Sequence, residues 1–189
     1  PVIARTQMEL LLEARPVGDR YSVEVRQVTF VQPRRIADGP LPKYPYAAAR
    51  EHLTARVMLA LQLDDRGGVA KVAVLQTSLD GTETYQHVAD QWRRLFEQKA
   101  VDAVRHWHYD LTEIVGGKRV GIQALQPIAF SMHGTNQQWN AFVPGPTHQI
   151  PWLHESVAKS ANALPSGNDE AVAMDSQFKL KSDVIGKTL

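Results

Sequence analysis

The chain has 189 residues, a formal net charge of +1 and no cysteine. These values exclude disulfide bonds and cysteine chemistry, and they argue against nucleic acid as a partner, because phosphate binding needs a clustered basic surface. The apolar fraction of 43% is typical of a globular domain that buries a core. No run approaches the roughly 18 apolar residues that cross a bilayer. Because the chain starts at Pro1, we expect a processed protein or a fragment.

The first forty residues predict strands followed by a linker. Alternating apolar residues in RYSVEVRQVTFV, from Arg20 onward, predict strand structure. The next stretch, QPRRIADGPLPKYP, has four prolines and a glycine and is typical of an extended linker. A shift of 118 positions places Leu10 on Ile128 and Leu12 on Phe130. Residues 1–40 are therefore interpreted as N-terminal strands and linker, and the end of a preceding copy of the next unit is left open.

The central unit, residues 41–132, begins with a helix and a hairpin. Pro45 suits a first helical position, and YAAAREHL is rich in helix formers. The run ARVMLALQL alternates apolar and polar residues and predicts a half-buried strand. DDRGG then predicts a turn at Gly67 and Gly68, and VAKVAVLQTS a returning strand.

A long helix and a third strand follow. From about Thr84, apolar residues recur at spacings of three and four, which predicts one buried helix face: Val88, Trp92, Phe96, Ala100, Val104 and Trp107. RVGIQALQPIAFSM predicts the third strand. Residues 133–189 predict an irregular extension with local anchors at Trp139, Phe142 and Trp152. The expected fold class is α+β, with a three-stranded antiparallel sheet packed on two helices.

Two histidines flank Trp107 in the stretch RHWHYD. On a helix, His106 and His108 would point about 200° apart and could not share a metal, whereas on a strand they would face one side. A zinc site would need a third ligand at matching spacing, and none is evident. The simpler interpretation is that Trp107 fills the core and the histidines lie in solvent. We expect no metal, no cofactor and no enzymatic activity, with a metal-dependent enzyme using the two histidines as the rival.

Proline has no N–H group, so it is tolerated in a strand where that position faces away from the neighbouring strand. Pro127 therefore marks the third strand as a sheet edge. Because backbone groups alternate sides along an antiparallel strand, the residues that share the outward side are predicted to be docking positions for an extended peptide. These are Gly121, Gln123, Leu125, Pro127 and Ala129.

The order of these motifs resembles the C-terminal domain of the TonB family of energy transducers. Tyr44 and Pro45 match the Tyr-Pro that opens that domain, and Gly67 matches its turn. Trp107 matches the aromatic end of its long helix, and Phe130 the last strand, Pro-Ile-x-Phe. Departures include Ala55 in place of a usual glycine, Asp110 in place of a common proline, and an extra stretch from about Leu79 to Leu95.

The resemblance implies a periplasmic module anchored to the inner membrane by a segment outside this sequence. Such a module binds the N-terminal box peptide of outer-membrane TonB-dependent transporters by strand addition. It transmits force from an inner-membrane proton-driven motor complex. The alternative is a non-energised periplasmic scaffold or protein-binding domain with the same fold, whose tail or N-terminal strand occupies the edge. A homodimer formed by strand exchange is also left open.

Overall fold

A computed structural model describes residues 3–30, 32–36, 39–80, 86–131, 143–153, 171–176 and 178. In this part of the chain, twelve strands and two helices form a mixed α and β fold in which every paired strand runs antiparallel. The strands are β1 Ala4–Arg5, β2 Met8–Val17, β3 Arg20–Phe30, β4 Arg34–Ile36, β5 Thr54–Leu63, β6 Val69–Asp80, β7 His108–Asp110, β8 Ile114–Val115, β9 Lys118–Arg119, β10 Gln123–Phe130, β11 Val143–Pro144 and β12 Val172–Ala173. The helices are α1 Tyr46–Arg50 and α2 Gln86–Val104.

The largest sheet has the strand order β11-β6-β5-β10-β12. Its three long strands are the three that the sequence predicts, and β5 and β6 form the expected hairpin. Gly67 adopts a φ of +84° in the hairpin turn, and a Cβ atom there would overlap the carbonyl oxygen of Tyr109, so only glycine fits. This sheet has five strands instead of the expected three, because the C-terminal extension adds one short strand to each side.

The main core lies between this sheet and the helices. Tyr44 packs edge-on against Phe96 and Phe130, with ring centroids 5.7 and 5.9 Å apart. The predicted apolar face of α2 is buried at Phe96, Ala100 and Val104. These rings join the segment before α1, α2 and β10 into one cluster. Neither described helix is long and apolar enough to cross a membrane.

The opposite face of the sheet is also covered. Met58, Ala60, Leu75 and Leu125 form a second cluster, and Ile150, Trp152, Leu153 and Met174 pack against it. The prediction that β5 is half-buried is therefore wrong, because a segment distant in sequence covers its second face. Trp152 is an anchor, as expected, whereas Trp139 and Phe142 lie outside the described residues.

The stretch between the N-terminal strands and α1 packs against the central unit. β4 pairs with β7. The Arg35 guanidinium lies 3.9 Å from the ring centroid of Trp107, and the Trp107 indole donates a 2.7 Å hydrogen bond to the carbonyl of Pro40. β2 and β3 form a long hairpin, and β1, β8 and β9 form a small separate sheet.

Candidate functional site

The orientation of β10 is fixed by two backbone hydrogen bonds. Leu63 N–H donates to the carbonyl of Ile122 at 2.9 Å, so Ile122 faces β5. Met174 N–H donates to the carbonyl of Gln123, also at 2.9 Å, from the other side. Because sides alternate along a strand, even-numbered residues of β10 face β5 and odd-numbered residues face the outer edge. Gln123, Leu125, Pro127 and Ala129 thus present their backbone groups outward.

Pro127 is aligned with Met58 of β5. Its nitrogen belongs to the outward set, so the missing N–H removes no hydrogen bond to β5. On the outer side, β12 aligns with Ala124 and Leu125. In the part of the chain that the structure describes, pairing on this side reaches no further along β10 than Leu125.

Gly121 lies outside β10. It precedes the first residue of β10, and a Cβ atom there would overlap the carbonyl oxygen of Leu63. The glycine therefore serves the close approach of two backbones where the chain enters the sheet. β10 begins at Gln123, and the assignment of Gly121 as a docking position stays a prediction.

The segment 171–175 holds the edge through contacts that sequence reasoning missed. Gln123 N–H donates to Oδ1 of Asp175 at 2.6 Å, in addition to the bond between the Gln123 carbonyl and Met174. Ala173 N–H donates to Oε1 of Gln32 at 2.7 Å, away from β10. Ala171 is only 2% exposed and belongs to the main core. A signal was present in the apolar run AVAM followed by an aspartate, although it is short and stands in a polar stretch.

The other long edge of the sheet is covered over more of its length. Beyond β11, Gly145 N–H donates to the carbonyl of Thr77 at 3.0 Å and His148 N–H to that of Leu75 at 2.8 Å. The Gln76 side-chain amide donates to the carbonyl of Gly145 at 2.9 Å. The chain's own extension thus follows β6 from Leu79 to Leu75. β10 is consequently the better candidate for a visiting strand.

The residues that carry the family resemblance lie in the core and in turns. Tyr44 donates its hydroxyl hydrogen bond to the carbonyl of Leu53, and Pro45 is the N-cap of α1. Trp107 is 3% exposed, and Phe130 lies 5.1 Å from Phe96 between ring centroids. Together with Gly67 in its turn, these residues build the unit that presents β10.

The two histidines beside Trp107 are exposed, while Trp107 is buried. His108 is the first residue of β7, which pairs with β4. Across the described residues, no three histidine, aspartate or glutamate side chains are grouped so that they could hold a metal ion. The arrangement matches the simpler interpretation of the RHWHYD stretch.

Comparisons with models of protein families, with curated proteins and with solved structures return no match. The geometry of the sheet edge and the order of the motifs are the features of this chain that bear on its function.

Proposed function

We propose that this chain is a TonB-like periplasmic module that binds the N-terminal box peptide of an outer-membrane transporter along the outer edge of β10. The observation that carries the proposal is the hydrogen bond from Met174 N–H to the Gln123 carbonyl, because it marks an edge that accepts an extended segment. Backbone bonds would supply the affinity and side-chain positions the selectivity. No catalytic step is part of this function.

The position of β10 suits a joint that carries force. β10 aligns with β5 along its whole length from Gln123 to Phe130, and all of its residues except Ala129 are buried. A pull parallel to the strands would load several backbone hydrogen bonds together. In the proposed function that pull comes from an inner-membrane proton-driven motor complex, through an N-terminal anchor, and acts on the transporter's N-terminal segment.

A second function is favoured because a segment of the same chain already lies along β10 at Gln123 and Leu125. The chain's own segment already aligns there, which is one way that proteins protect an exposed edge from unwanted pairing. A non-energised periplasmic scaffold with the same fold would keep this segment in place permanently. The two functions differ in whether a transporter peptide can displace the segment.

The test is a titration of the full chain, labelled with nitrogen-15, with a synthetic peptide from a transporter's N-terminal box. We expect amide shift changes concentrated on Gln123 to Ala129, because the added strand bonds to the outward groups there. A scrambled peptide of the same composition is the control and should leave these amides unchanged. Changes confined to the β2–β3 hairpin or to the neighbourhood of His106 and His108 would contradict the proposal. A complete lack of response would favour the scaffold.

A further inference from the structure

The segment 171–175 carries a regular side-chain pattern on β10. Ala171 belongs to the main core on the helix side of the sheet, and Ala173 packs against that core. Met174 packs on the opposite face, against the cluster that contains Leu125. Small residues thus face the helices, where Ala124 is fully buried, and a larger apolar residue faces the other way.

The pattern ends in a specific polar contact. Asp175 accepts a 2.6 Å hydrogen bond from Gln123 N–H through its carboxylate, and the Gln123 side-chain amide donates to the carbonyl of Trp152 at 2.9 Å. Gln123 is itself only 7% exposed. A charged acceptor on a backbone N–H in such a place forms a stronger bond than a neutral one.

We infer that the segment 171–175 is an internal copy of the ligand that the β10 edge recognises. The partner is an extended segment, antiparallel to β10, with small and larger apolar residues in alternation followed by an aspartate. This inference rests on the proposed function, since it assigns the ligand chemistry of the same edge. The backbone N–H at position 123 provides the specificity, because it is the donor that selects the aspartate.

The bound segment 171–175 would also compete with a free peptide for the β10 edge. A tethered segment has an effective concentration of about a millimolar, so a free peptide must overcome it to bind. Met174→Pro removes the N–H that donates to Gln123 and should release the segment. Asp65→Pro is the control, because Asp65 is exposed at the second position of the turn that Gly67 N–H closes on the Asp64 carbonyl, where proline is tolerated.

The experiment measures binding of the fluorescent peptide EAVAMDSQ, residues 170–177, to the full chain and to both variants. We expect the Met174→Pro chain to bind at least about tenfold more tightly than wild type, whereas Asp65→Pro behaves like wild type. A peptide with alanine in place of the aspartate should bind the Met174→Pro chain about tenfold more weakly. Circular dichroism checks the fold, and Asp175→Ala provides a second, milder way to release the segment.

The outcomes separate the two proposals. If the released chains bind a transporter's N-terminal peptide but not EAVAMDSQ, or bind the alanine peptide equally well, the inference is overturned and the proposed function stands. Equal binding of EAVAMDSQ to wild type and to both released chains also overturns it. If the released chains bind neither peptide, strand addition at β10 fails, and both proposals fail with it.

Discussion

At the scale of single residues, Tyr109 connects the region after α2 to β10. Its side chain is fully buried, and its hydroxyl donates a 2.9 Å hydrogen bond to Oε1 of Gln126, which is 1% exposed. Burial raises the pKa of Tyr109 above its ordinary range, although the charge of Arg35 opposes part of this shift. The hydrogen bond ties β7 to β10 through their side chains.

The raised pKa makes stability depend on alkaline pH. The folded chain keeps the Tyr109 phenol protonated, whereas the unfolded chain ionises it above the ordinary tyrosine pKa of 10.0. The stabilisation is therefore complete below about pH 10 and declines above it, by about 1 kcal/mol at pH 11. Tyr109→Phe should lower the free energy of unfolding by about 1 kcal/mol at pH 7, because the hydrogen bond to Gln126 is lost. Between pH 7 and pH 11 this variant should lose about 1 kcal/mol less stability than wild type, because it has no phenol at this position to ionise.

Urea unfolding at pH 7 and pH 11 measures both effects. Tyr46→Phe, at a position that is 80% exposed, is the matched control and should leave the free energy of unfolding at pH 7 unchanged. An identical alkaline loss in wild type and in Tyr109→Phe would show that Tyr109 is not the group responsible.

Single residues also show what the sequence can predict. Pro127 marks the orientation of β10 because the missing N–H is a local property. Trp107 is buried as predicted, although its predicted place on the helix face is wrong, because α2 ends at Val104. Asp175 could not be found in this way, because its partner Gln123 lies 52 positions away and nothing local pairs the two.

At the scale of elements, the two faces of the β2–β3 hairpin differ in polarity. Cross-strand neighbours place an apolar set on one face: Met8, Leu10, Leu12, Ala14 and Pro16 opposite Phe30, Val28, Val25, Val23 and Tyr21. Val28 and Val25 are three positions apart, so they share this face only because a bulge shifts the register between Leu11 and Leu12. The bulge keeps the face continuous, although β2 is exposed along its whole length.

The bulge can be tested by deletion. Removing Arg26 places Val25 two positions from Val28, which keeps the apolar face in regular alternation. It loses only exposed ion pairs with Glu13 and Glu24, worth at most about 1 kcal/mol. Removing Glu24 instead should turn Val23 and Tyr21 to the opposite face. Nuclear Overhauser contacts between Ala14 and Val23 should survive the first deletion and disappear in the second. Their loss in both deletions would contradict the register.

At the scale of the whole molecule, the C-terminal extension completes the sheet. It adds β11 to one side and β12 to the other, and residues 150–153 cover the second face. The central hairpin, the long helix and the third strand follow from periodicity and turn chemistry, which are local. The extension does not, because two-residue strands such as Val143–Pro144 have no period of their own and form only on an edge that already exists.

Amide hydrogen exchange along β10, with and without a transporter's N-terminal peptide, tests the central claim most directly. In the Met174→Pro chain, we predict that the peptide slows exchange at the outward N–H groups of Gln123, Leu125 and Ala129. Exchange at Ala124 and Ile128, which face β5, should not change. Slower exchange at both sets alike, or at neither, would contradict strand addition at this edge.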